Sequence, residues 1–187
     1  MTTAFDKDLE LIFQKLTSDR QVKQALDFLK QDAPNTIAQQ KELVVIEAPT
    51  FQEKQRSLHY AQMLKAAGLQ DVTIDEKFNV YGKIYGSGKT GKSVLLEGHL
   101  DTVFSFGTVT DVIEKYGKLY APGICDDTRA LAANLSVIRA LVISGLRPHH
   151  DIMIAGTAAE EGLGAMSGMK YLVNNKAEEI LAAISID

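Results

Sequence analysis

Two residues that could do chemistry together stand in Leu95-Leu96-Glu97-Gly98-His99-Leu100-Asp101-Thr102-Val103. A short apolar run ends in glycine. In extended chain, residues two apart project to the same side, so His99 and Asp101 leave the strand end together. A histidine there can ligate a metal while a neighbouring carboxylate holds its ring. The same pair also reads as ordinary surface decoration.

Three later stretches bear on that choice. Ala121-Pro122-Gly123-Ile124-Cys125-Asp126-Asp127-Thr128 places two carboxylates at the start of a helical pattern. One of them can cap the helix, and the other can bridge two cations with its two oxygens. Thr157-Ala158-Ala159-Glu160-Glu161-Gly162 ends an apolar run in adjacent acids, which repel each other unless a cation is near. One glutamate can then ligate while the other takes a proton from water; a solvated acidic turn is the plain alternative. The last apolar run ends in Asp187. Sites in α/β sheets form outside the carboxyl ends of strands, and one shared site accounts for all four endings. Mixed histidine and carboxylate ligands suit zinc, with manganese or cobalt possible.

The elements that must position these groups follow from hydrophobic period. Leu9, Ile12, Phe13 and Leu16 fall at helical spacing, and Val22, Ala25, Leu26 and Leu29 repeat it, with Thr17-Ser18-Asp19 as a break or cap between them. Asp32-Ala33-Pro34-Asn35 is a second punctuation, with a third helix over residues 35–46. Ala48-Pro49-Thr50 ends that helix. Thr50 and Glu53 read as a capping box for a helix over residues 51–67, stopped by Gly68. After Gly68 the period shortens. Strands are expected over 71–75, 79–85 and 93–97, then a loop or short strands over 107–117, a long helix over 127–144, a strand over 151–157, a helix over 164–174 and a final strand over 182–187. This alternation predicts an α/β/α sandwich around a mixed, largely central sheet.

Residues 86–93, Gly-Ser-Gly-Lys-Thr-Gly-Lys-Ser, match the phosphate-loop pattern letter for letter. That loop needs a helix after it, and Val94-Leu95-Leu96-Glu97-Gly98 is β-rich. A P-loop nucleotide-binding protein is therefore a disfavoured alternative to a hydrolase, and a turn between two strands is the plain reading. The chain has 187 residues, 45% of them hydrophobic, which suits one domain with a real core. Its net charge is −4 and it has no basic run, so nucleic acid is not an expected partner. No apolar run is long enough for a membrane span. The single cysteine, Cys125, rules out an internal disulfide framework and fits a reducing compartment, so a cytoplasmic protein is expected.

The ordered motifs Gly-His-x-Asp-Thr-Val, Gly-Ile-x-Asp-Asp-x-Arg before a helix, Glu-Glu-Gly, and a hydrophobic strand ending in Asp resemble those of the M20 family of di-zinc metallohydrolases. The similarity runs from about Ile46 to Asp187. It implies a zinc-exopeptidase-like catalytic domain with two divalent metal ions. It implies that His99 binds one metal with Asp187, that Asp126 bridges both, that Glu161 binds the second, that Asp101 orients His99, and that Glu160 is the general base. It also makes Asp126–Asp127 a candidate for a cis non-proline bond. The implied reaction is hydrolysis of a peptide or N-acyl amino acid amide by a hydroxide bridging the two metals. Thr102, Val103 and Phe104 are expected to wall the pocket.

Members of this family are about twice as long. They add a lid domain that carries dimerisation, and a late histidine on the second metal. The histidines here are His59, His99, His149 and His150; His59 is expected on a helix facing solvent, and His149 and His150 precede a strand at the end away from the acids. Residues 1–187 thus read as part of a catalytic domain without its lid or C-terminal part, weakly active or inactive alone, with a homodimer possible for the full-length parent. A non-catalytic relative used for binding is a further alternative, opposed by retention of Glu160 and Asp101.

Overall fold

A computed structural model describes residues 4–109 and 111–187. Five strands form one sheet in the order β1-β2-β6-β3-β7: β1 (Gln70–Ile74), β2 (Val80–Ile84), β3 (Ser93–His99), β6 (Asp151–Thr157) and β7 (Ile180–Ser185). The β1–β2 and β2–β6 pairs are antiparallel, whereas the β6–β3 and β3–β7 pairs are parallel. β4 (Ile113–Lys115) and β5 (Lys118–Tyr120) make a separate hairpin.

Helices cover both faces of the sheet. On one, α2 (Arg20–Val44), α3 (Lys54–Ala67) and α4 (Thr128–Ser144) pack Leu43, Tyr60, Leu64, Leu131 and Leu135 against Val80, Ile154 and Leu100. On the other, α5 (Ser167–Asn175) sets Leu172 against Leu95, Met153 and Ala155. Alternate residues of β3 and β6 therefore enter different cores, which is why the middles of these strands, Val94-Leu95-Leu96 and Ile152-Met153-Ile154-Ala155, read as unbroken apolar runs. The expected α/β/α sandwich with a mixed sheet is the observed architecture. β1 and β7 are the edge strands, and Leu181 and Ile184 of β7 are exposed.

Several boundaries differ from the sequence-based expectation. α1 (Ala4–Ser18) and α2 do break at Asp19, whose carboxylate accepts from Gln21 N and Val22 N. Leu9, Ile12, Phe13 and Leu16, however, remain exposed. α2 runs straight through Pro34. Asp32-Ala33-Pro34-Asn35 is not the break its composition predicts: the Asp32 carboxylate reaches Ser136 and Arg139 on α4, and that packing outweighs the amide Pro34 lacks. No capping box forms at Thr50: α3 starts at Lys54, and Glu53 makes no side-chain cap. Gly68 does end α3, at φ 106°. α5 starts at Ser167, after a 3-10 turn over Gly162–Gly164. β7 ends at Ser185, so Asp187 lies just beyond the strand.

The phosphate-loop resemblance has no structural counterpart, because β3 rather than a helix begins at Ser93. The amides of Gly86, Ser87 and Gly88 donate to Asp151 Oδ1, Pro148 O and His149 O, so the loop is packed onto the turn before β6. Among the described residues, no helix is long and apolar enough to cross a membrane.

Candidate metal centre

The parallel strands deliver their carboxyl ends to one place. β3 brings His99 opposite Thr157 of β6, and two clusters meet there. His99, Asp126 and Asp187 form one, and His99, Glu160 and Glu161 the other; within each, candidate ligand atoms lie within 4.8 Å of one another. Imidazole and carboxylate oxygen are a donor set that fits zinc or a similar divalent ion.

His99 is buried and fixed from three sides. Its backbone N–H donates to Asp127 Oδ2 at 2.9 Å. Its Nδ1 faces Asp101, 3.1 Å from the main-chain carbonyl oxygen and 3.6 Å from the carboxylate. Its Nε2 lies 2.8 Å from Asp126 Oδ1. Burial disfavours the imidazolium, but Asp101, Asp127 and Asp126 outweigh it and raise His99 to about 10.

The Asp126–Asp127 peptide is cis. Asp127 caps α4 by accepting from Ala130 N, which leaves Asp126 exposed at the site mouth. Thr128 Oγ1 donates to the carbonyls of Gly123 and Ile124 and closes the preceding turn. Gly98 is required by close approach: a Cβ there would lie 2.7 Å from Asp127 Oδ2. The Arg129 guanidinium donates to the main-chain oxygen of Asp187.

The Asp101 carboxylate does more than face His99. It accepts from the amides of Glu160, at 2.9 Å, and Glu161, at 3.1 Å. Burial opposes its ionisation, but His99 and these two amides hold its pKa below the usual value. Glu160 and Glu161 are half-buried, and both are raised, first by burial; Asp101 and Asp187 add repulsion at Glu160, and Asp126 at Glu161.

Beside Asp126 and Glu161 lies a pocket of about 270 Å³, walled by Thr102, Val103, Phe104, Pro122, Ile124 and Cys125. The expected wall residues 102–104 are all in it. His59 pairs with Glu42 on the helical face, and His149 and His150 precede β6 at the far end of that strand.

Residues 95–187 match the model of peptidase family M20/M25/M40. The chain belongs to the M20 peptidase family. It is 34% identical over 144 residues to acetylornithine deacetylase of Myxococcus xanthus, a stretch covering 71% of this chain and 36% of that one. It is 35% identical over 85 residues to carboxypeptidase G2 of a Pseudomonas species, covering 44% of this chain and 20% of that one. The fold of the di-peptidase Dug1p from Saccharomyces cerevisiae superposes with a TM-score of 0.68 at 16% identity, covering 88% of this chain and 40% of that one. The chain thus spans well under half the length of these proteins.

Of three buried polar residues near the centre, Arg56 and Asn79 carry no role in the sequence-based reading, and Glu53 only that of a helix cap. Glu53, Arg56 and Asn79 are 2%, 1% and 0% exposed. A signal was available for two of them. Glu53 and Arg56 fall on the same helical stripe as Tyr60 and Leu64, where a charge needs a buried partner.

Proposed function

We propose that the protein takes part in metal-dependent hydrolysis of a peptide or N-acyl amino acid amide bond, and that residues 1–187 form the metal-binding part of the catalytic domain. The observation that carries this reading is the convergence of His99, Asp126, Glu160, Glu161 and Asp187 on one site at the strand ends. In this reading His99, Asp126 and Asp187 would hold one divalent ion, and Asp126 and Glu161 a second, most simply zinc, with manganese or cobalt as alternatives. Two such ions lower the pKa of a water and polarise the scissile carbonyl.

The protein's own residues do the rest. Glu160 moves a proton from the attacking water to the leaving amine, and its raised pKa suits a group that must both accept and release. Asp101 sets the ring of His99 and, through their amides, the positions of Glu160 and Glu161. Val103, Phe104 and Ile124 offer an apolar wall to a substrate side chain beside Asp126 and Glu161.

Among the described residues, no other histidine stands near Glu161, so the second position has fewer donors than the first. Residues 1–187 alone are therefore expected to be weakly active. Cys125 is free and exposed, which suits a reducing, cytoplasmic setting.

Elemental analysis of the purified protein tests the site. Metal is expected in the wild type, with loss of stoichiometry in His99→Ala and in Glu161→Ala. Hydrolysis of a panel of dipeptides and N-acyl amino acids, lost in Glu160→Gln, tests the reaction. Metal content indifferent to both ligand substitutions would overturn the assignment.

A further inference from the structure

The turn after β6 carries both glutamates of the site, and every main-chain polar group of its four residues is taken. The carbonyls of Ala158, Ala159, Glu160 and Glu161 accept from the amides of Gly168, Ser167, Met166 and Gly164, which run from the end of the 3-10 turn to the first turn of α5. The amides of the same four residues donate only to side chains. Ala158 N donates to Asn79 Oδ1 at 2.9 Å, and Ala159 N to Glu53 Oε1 at 3.0 Å. Glu160 N and Glu161 N donate to the two oxygens of Asp101.

We propose that Glu53 and Asn79 are positioning residues, which together with Asp101 hold the 158–161 turn so that Glu160 and Glu161 face His99 and Asp126. This inference rests on the metallohydrolase reading above for the purpose of the turn, but not for its geometry.

Three observations favour a dedicated device over chance satisfaction of backbone groups. First, both side chains come from distant parts of the chain, 79 and 106 residues away in sequence. Second, each is anchored elsewhere. Asn79 Nδ2 donates to Asp75 Oδ2 and Gly168 O, and Glu53 Oε1 also accepts from Phe51 N, at 2.7 Å. Third, both are fully desolvated, which is costly for a carboxylate without a cation nearby. Burial and the charge of Asp101 raise the Glu53 carboxyl, and the amides of Phe51 and Ala159 oppose them; the buried Arg56 guanidinium, which donates to Ile46 O and Leu100 O, feels the charges of Asp101, Glu47 and Glu53. Gly168 completes the arrangement, since a Cβ there would lie 2.1 Å from Ala158 O and 2.4 Å from Asn79 Oδ1.

Glu53→Gln keeps an oxygen acceptor in place, whereas Glu53→Ala removes it. In metal-free protein, amide exchange read by NMR should quicken at Ala159 roughly tenfold in Glu53→Ala, from the loss of one buried bond. The same should occur at Ala158 in Asn79→Ala, with Leu95 and Leu96 of β3 unchanged. Cobalt(II) titration followed by visible absorption should show the Glu161 position weakened about 10–100-fold in both alanine variants, as for loss of other groups that orient ligands. The His99–Asp126–Asp187 position should stay close to wild type, and Glu53→Gln should restore the Glu161 position.

Equal exchange at Ala159 in wild type and Glu53→Ala would overturn the proposal. So would a Glu53→Gln variant as impaired as Glu53→Ala, or uniform loss at both positions with general loosening of β3. If the wild type binds no cobalt, the metallohydrolase reading fails, while the exchange data still decide whether Glu53 and Asn79 hold the turn.

Discussion

Asp127 Oδ2 accepts the backbone N–H of His99 at 2.9 Å, while its other oxygen caps α4 through Ala130 N. One carboxylate thus ties the long helix to the strand end that carries the imidazole. Its burial raises it to about 7, with His99 pulling the other way.

Asp127→Ala is expected to cost about 2–4 kcal/mol, combining a lost N-cap with an orphaned buried amide. Asp127→Asn should cost less, since one acceptor oxygen survives. Urea unfolding of the three proteins measures this, and equal midpoints would contradict the bridging role.

Gly98→Ala probes the same contact from the strand side. The added methyl would meet Asp127 Oδ2 at 2.7 Å, so the carboxylate or the strand must move. A loss of about 1–3 kcal/mol in stability is expected, together with weaker metal binding through a displaced His99. Full retention of both would show that the strand end yields without consequence.

Away from the site, Asp32 joins α2 to α4 through Arg139 and Ser136. Burial opposes its ionisation, but Arg139, Ser136 and Asn35 prevail and keep its pKa below 3.8. A depressed folded pKa stabilises the protein above the unfolded value, and that contribution is lost as pH falls through the folded one. Asp32→Asn is therefore expected to be less stable than wild type by about 2 kcal/mol near neutrality. The gap should close progressively below about pH 4. Urea midpoints at neutral pH and at successively more acid values give the test; a gap that widened on acidification would contradict the sign.

Metal should stabilise the fold, because the acids crowded around His99 repel one another without it. With zinc or manganese at about a hundredfold over its dissociation constant, linkage gives about 2.7 kcal/mol, visible as a raised thermal midpoint. His99→Ala and Asp126→Ala should lose this increment. An unchanged wild-type midpoint in excess metal would argue against binding to the folded form.

Much of this architecture was legible from local pattern. β3 and β6 announce themselves because both faces are covered and their middles, Val94-Leu95-Leu96 and Ile152-Met153-Ile154-Ala155, are continuously apolar. Gly68 and Gly145 end α3 and α4 because each takes the left-handed conformation. His99, Glu160, Glu161 and Asp187 stand out because each follows an apolar run, and Asp126 because it stands with a second carboxylate at the start of a helix. What stayed hidden depends on contacts between distant residues. Pro34 reads as a helix end until Asp32 is seen to reach α4. Glu53 reads as a cap residue until the strand bringing Ala159 is placed beside it. No spacing within the helix reveals a partner 106 residues away.

The hydrogen bonds that fix Glu160 and Glu161 fall on their main-chain amides and carbonyls. Scaffold and reagent are therefore separable at these two positions. The identity of either side chain can change while the loop that presents it keeps its shape. Such a frame lets substitution retune the chemistry at 160 and 161 without first rebuilding the fold, so the same strand ends could serve relatives with different substrates.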